Sequence, residues 1–196
     1  MENTLKNMVL TLFVITLIAA TSAGMAYRVT KEPIAQAKIA KTISALARVL
    51  PAFDNDPAAE KQMIDMDGFP VTVYTAKRGE ETVGYAVRTT TKQGFSGEIH
   101  LLVGFLPDGK IHNIQVLQHT ETPGLGSKIT DPNNALVVVF RGNSPADLQM
   151  SVRKDGGDID AITASTISSR AYIDAVERGY KAMRIISKTD KERRTP

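Results

Sequence analysis

The sequence predicts an α+β protein in which an N-terminal transmembrane helix and a linker helix precede a domain built from an antiparallel sheet and a C-terminal helix. Three observations carry this. An uncharged apolar run lies between Lys6 and Arg28, a period of two takes over after Val71, and a helical period returns after Thr166. The segments divide into an anchor at 1–28, a linker helix at 29–57, a globular domain at 58–187 and a polar tail at 188–196.

The run "NMVLTLFVITLIAATSAGMAY" is long enough to cross a hydrocarbon core of about 30 Å as a helix. Its apolar part exceeds the roughly 7 to 15 residues of a secretory signal, so it reads as an uncleaved anchor although Ser22, Ala23 and Gly24 would suit a peptidase. Arg28, Lys31, Lys38 and Lys41 outnumber Lys6, a bias that favours a cytoplasmic C-terminal side. Long domains translocate largely regardless of such charges, so the local count does not decide orientation.

A second helix is expected from Pro33, with Ile34, Ile39, Ile43, Leu46 and Leu50 as its apolar stripe and Pro51 as its end. "DNDP" at 54–57 marks a turn. Val83, Tyr85 and Val87 alternate, as do Ile99, Leu101, Val103 and Phe105, then His112, Ile114 and Val116, and these read as strands. "PDGK" at 107–110 joins the last two as a hairpin. Residues 135–140 carry no clear period, and 148–153 read as a further strand. On the final helix Ile173, Val176, Tyr180 and Met183 form the buried stripe. Thr166, seven residues before Ile173, heads the same stripe two turns earlier.

Composition excludes several classes of function. A net charge of +3 from 24 basic and 21 acidic residues is too mild and too mixed for a nucleic-acid footprint. With no cysteine the chain supplies no thiolate for an iron–sulfur cluster, an attached haem or a redox disulfide. His100, His112 and His119 lack the close spacing of a zinc motif, so no metal site is expected. If the protein moves electrons, an organic cofactor must carry them.

Two stretches combine glycines with hydroxyls, and a third is rich in hydroxyls alone. "KQGFSGEI" holds Gly94, Phe95, Ser96 and Gly97 between two strands. "HTETPGLGSK" holds Glu121, Thr122, Leu125, Gly126 and Lys128 in a segment whose glycines and proline permit sharp turns and close approach to a ligand. "ITASTISSRAY" crowds Thr163, Ser165, Thr166 and Ser168 at a helix start. There they serve as caps for the free N–H groups, or one of them is a chemical attachment point. A helix start also favours a phosphate, through those N–H groups and the helix dipole.

Taken in order, "GYAV", "GFSGEIHLLVGF", "HTETPGLGSK" and "KDGGDIDAITASTISSRA" resemble the covalent FMN-binding domain of the G subunit of the bacterial Rnf complex and of the C subunit of the sodium-pumping NADH:quinone reductase. The last motif is similar to the flavinylation signal D-x-x-[ST]-G-A-[ST], with Asp160 first, Thr163 as the first hydroxyl and Thr166 as the acceptor. Ala164 stands where the family usually has Gly, and Ser165 where it usually has Ala. The resemblance implies that 58–187 is the FMN-binding domain. It implies that a flavin transferase links FMN from FAD to Thr166 through a phosphodiester, with Ser165 and Ser168 beside the bond. Phe95 and Leu125 would be apolar contacts of the ring, and Glu121, Thr122 and Lys128 polar ones.

The short chain with one anchor looks more like the Rnf subunit. This implies an electron-relay role between ferredoxin and NAD, partners among the other membrane subunits and the lipid, and a domain on the periplasmic side of the bacterial inner membrane. The alternative is a membrane-anchored extracytoplasmic ligand-binding or sensor module without redox chemistry.

Overall fold

The computed structural model describes residues 2–66 and 68–194, the side chains of 2, 3, 38, 39, 193 and 194 excepted. Two compact units divide the chain, residues 1–42 and 43–196.

A single helix, α1 (Glu2–Val49), runs through both expected helical segments. Pro33 lies inside it and not at the start of a second helix. Proline fixes the same backbone angle in either position, and in the interior it gives up its own N–H bond and crowds the carbonyl four residues back. The sequence signal for a start is therefore also met by an interior proline. Among the described residues one helix, Thr4–Val49, is long and apolar enough to cross a membrane. Its apolar side chains from Leu5 to Ile18 are exposed. Thr11, Thr16 and Thr21 donate to the carbonyls of Asn7, Leu12 and Leu17, so each hydroxyl is satisfied within the helix, as a hydrocarbon surrounding demands. Of the expected stripe, Ile34 and Ile43 are exposed, Leu46 and Leu50 are buried, and the Ile39 side chain lies outside the described residues.

In the second unit five strands, β1 (Gln62–Met66), β2 (Phe69–Arg78), β3 (Glu81–Thr91), β4 (Ile99–Phe105) and β5 (Ile111–Gln118), form an antiparallel meander in chain order. The alternating segments fall on β3, β4 and β5, and the hairpin at 107–110 joins β4 to β5. The edge strand β1 escapes a pattern reading because Ile64 and Met66 are only half-buried.

Each sheet face has its own cover. The end of α1 places Ala45, Leu46, Val49 and Leu50 on Tyr74, Ala76, Ala86 and Leu102. His112 donates from Nδ1 to the Val49 carbonyl at 3.1 Å and Asn113 donates to that of Arg48 at 3.0 Å. On the opposite face α3 (Thr166–Arg194) buries Tyr172, Ile173, Val176 and Met183 against Val87, Leu101, Val103 and Phe105. The polar residues from 188 onward do not end this helix, which continues to Arg194; residues 195 and 196 lie outside the described part.

The segment between sheet and final helix is irregular. Asn134 caps a single helical turn, α2 (Ala135–Val138), by accepting from the Leu136 N–H, and Leu136, Val137 and Phe140 plug the core. The strand expected at 148–153 is absent among the described residues. Val152 makes one isolated bridge to Ile159, and a 3-10 turn, Arg153–Asp155, follows it. Val152 and Ile159 are both fully buried, so the apolar residues that suggest a strand are anchors of a folded loop. The α+β class holds, with a five-stranded antiparallel sheet, a long apolar N-terminal helix and a C-terminal helix.

Candidate functional site

The hydroxyl-rich start of α3 is built by two consecutive serines. Ser169 Oγ accepts from the Ile162 N–H and donates to the Ser165 carbonyl, both at 3.0 Å. Ser168 Oγ donates to the Glu121 carboxylate. These ties pin the first turn from two sides. Between them Ala164 adopts a left-handed conformation, φ 59°, which costs a residue with a Cβ roughly 1 to 2 kcal/mol and glycine very little. The first-turn N–H groups of Thr166, Ile167 and Ser168 precede the first helical bond, from Ser169 N to Ser165 O, and have no intrahelical acceptor. Among the described residues the hydroxyls of Thr163 and Thr166 have no hydrogen-bond partner.

Facing this turn is a cavity of about 350 Å³ lined by both loops and the helix start, including Phe95, Thr122, Leu125, Ala164, Thr166 and Ile167. Glu121, Gly126, Ser165 and Ser168 complete its wall. The volume is at the small end of the range for ligand pockets. Phe95, Leu125 and Ile167 are 67%, 43% and 47% exposed, leaving apolar surface at the cavity without protein cover.

Within that wall Glu121 is buried, 4% exposed. Its Oε1 accepts from the Ser96 N–H at 3.1 Å, and Thr120 Oγ1 donates to the Ser96 carbonyl at 2.8 Å. One glycine of each loop leaves room for this carboxylate, and Gly94 leaves room first for the Gly97 carbonyl oxygen. A Cβ on Gly94 would lie 2.7 Å from Oε1, and one on Gly126 would lie 2.5 Å from Oε2 and 2.7 Å from Ser168 Oγ. Gly94, Ser96 and Gly97 thus back the cavity without lining it.

Three further residues that the sequence points to lie off the wall. Asp160 is exposed and paired with Arg153 at 2.6 Å, Thr163 is exposed, and Lys128 is exposed on the 3-10 turn Gly126–Thr130. Ile167 lines the cavity without a motif to mark it; its position one residue after Thr166 at the helix start is the available signal. Another ion pair braces the site from outside. Arg170 grips Asp155 at 2.7 and 2.9 Å, and that hydrogen bonding holds the Asp155 carboxyl below its ordinary range. Deeper in the core, burial pushes the Tyr172 hydroxyl up.

An α+β domain with a small cavity between two glycine loops and a helix start is the setting in which residues 94–181 match the family described as FMN-binding domain. The protein is thereby a flavoprotein of the FMN-binding class. Over 169 residues, 83% of this chain and 77% of the relative, it is 37% identical to the G subunit of the ion-translocating oxidoreductase complex of Cereibacter sphaeroides. It is 32% identical over 187 residues to the G subunit of the same complex in Photorhabdus laumondii, covering 91% of this chain and 90% of the relative. For the Haemophilus influenzae G subunit the identity is 34% over 178 residues, 87% and 86% of the two chains. The chain belongs to the family of G subunits of ion-translocating oxidoreductase complexes. With its apolar N-terminal helix it is a membrane-anchored protein.

Proposed function

We propose that this chain is the electron-relay subunit of a membrane-bound ion-translocating ferredoxin:NAD oxidoreductase, the Rnf complex, and carries FMN on Thr166 through a phosphodiester. The observation that carries the reading is the Thr166 hydroxyl. It stands at the cavity, at a helix start, with no protein partner among the described residues, while the neighbouring Ser168 and Ser169 hydroxyls are engaged. A flavin transferase would join Thr166 Oγ1 to the FMN phosphorus of FAD. The pyrophosphate bond breaks, AMP leaves and the hydroxyl loses its proton.

The donors and walls suit such a group. The free N–H groups of the first turn would hold the phosphodiester's single negative charge. Phe95, Leu125 and Ile167 would cover the faces and edge of the ring, with Thr122 as a polar neighbour. Asp160 and Thr163, exposed beside the cavity, are accessible to the transferase. When bound, FMN supplies the electron-carrying chemistry that the cysteine-free chain lacks. A covalent tether keeps the cofactor from being lost on the periplasmic side, where we place residues 29–196. The other membrane subunits and the lipid around the anchor complete the set of partners.

Two measurements test this. Intact mass of the full chain, coexpressed with a flavin transferase, should show one FMN on the wild type and none on Thr166→Val. Thr163→Val and Ser165→Ala should keep attachment at least in part. The Thr166 hydroxyl makes no protein hydrogen bond among the described residues and even a true cap is worth only about 1 kcal/mol, so Thr166→Val should stay folded. Colourless wild-type protein would favour the sensor alternative, and flavin on Thr166→Val would move the site elsewhere. A reporter active only outside the cytoplasm, fused after Pro196, should be active; activity of a cytoplasm-only reporter would reverse the topology.

A further inference from the structure

Among the described residues Glu121 ties together all three segments of the cavity. It belongs to the second loop, accepts from the Ser96 N–H of the first, and accepts from Ser168 on the attachment helix. A side chain at Gly126 would run into its Oε2, and one at Gly94 would run into the Gly97 carbonyl oxygen and its Oε1. Among the described residues no cation pairs with it. A buried carboxylate held by neutral donors alone is costly to desolvate, and removing it would leave the Ser96 N–H and the Ser168 hydroxyl without their acceptor. Its place at the junction of the three segments points to a role in holding their relative geometry.

We propose that Glu121 is a positioning residue for flavin attachment. Through Ser168 it fixes the rotation of the first turn of α3, so that the Thr166 hydroxyl, two residues earlier, is presented to the cavity. Ser169 fixes the same turn to the chain before it. The hydroxyl cluster therefore divides its work, with Ser168 and Ser169 orienting the turn and Thr166 left free. The carboxylate faces its protein donors and acts on the reacting oxygen through the helix. This inference rests on the flavin reading of the same cavity.

The test uses the full chain in detergent with FAD and a flavin transferase, comparing wild type, Glu121→Gln, Ser168→Ala and the double variant. Initial rates of covalent flavin incorporation are read from the fluorescent band and intact mass. Visible circular dichroism is recorded on the loaded proteins, and thermal unfolding on all four. Each single variant should attach flavin on the order of tenfold to a hundredfold more slowly, the scale of a small displacement of a reacting group. The double variant should be no slower than the worse single one, because both changes break one tie. The dichroism of the bound flavin should change in both singles while the unfolding transition stays cooperative. Ser168→Ala deletes a single oxygen, so slower attachment with a cooperative unfolding transition reads as lost positioning and not as misfolding. Wild-type protein that takes up no flavin would overturn the functional reading itself. Wild-type protein that loads, with single variants matching its rate and dichroism or slowing it additively, would overturn the positioning role alone.

Discussion

Gly126→Ala tests whether the glycine loops are shaped by the buried carboxylate. The added Cβ would sit 2.5 Å from Glu121 Oε2, 2.7 Å from Ser168 Oγ and 2.9 Å from Glu121 Cβ. All three fall below the 3.0 Å that real Cβ contacts essentially never cross. The backbone at Gly126 is not left-handed, so no conformational strain is added and the effect is crowding alone. Overpacking of a filled site costs about 1 to 3 kcal/mol. For a chain of this size that lowers the melting temperature by roughly 2 to 12 °C. Gly124→Ala is the control, because its Cβ meets nothing within 4 Å while its φ of 76° makes the substitution strained. The assay is thermal unfolding of the full chain in detergent with flavin content measured alongside. Gly126→Ala should lose both stability and flavin occupancy, whereas Gly124→Ala should lose stability and keep more of the flavin. A Gly126→Ala protein that melts at or above the wild-type temperature with full flavin would refute the crowding argument.

Two further outcomes are expected. Gly104→Ala on β4 drives a Cβ into the Val49 carbonyl and should separate the end of α1 from the sheet, at a cost of about 3 kcal/mol, read as a lower melting temperature. Burial of His100 lowers its pKa from 6.5, with Glu98 opposing and Arg88 adding to the effect. The folded protein therefore resists protonation, and the stabilisation is fully present above 6.5 and is lost as pH falls through the folded value. His100→Gln should flatten the stability curve below pH 6.5 in denaturant titrations, and an unchanged slope there would show that His100 carries none of it.

The strands and the final helix were legible because their information is local. A period of two at Ile99, Leu101, Val103 and Phe105, and steps of three and four at Ile173, Val176, Tyr180 and Met183, follow from one face of an element meeting a core. The apolar run and the order of the motifs also indicated, without coordinates, a membrane helix and the FMN-binding resemblance. Tertiary structure decided the rest. Pro33 proved interior because a proline's helix angle is the same at a start and in a middle. Val152 turned inward as a loop anchor because a buried valine in a strand and one in a folded loop look alike in sequence. The division of roles among Thr166, Ser168 and Ser169 depends on partners that local pattern cannot supply. Glu121 meets Ser168 across 47 residues and Ser96 across 25. No periodicity spans such distances, and only the packing of the two loops against the helix brings these groups to one point.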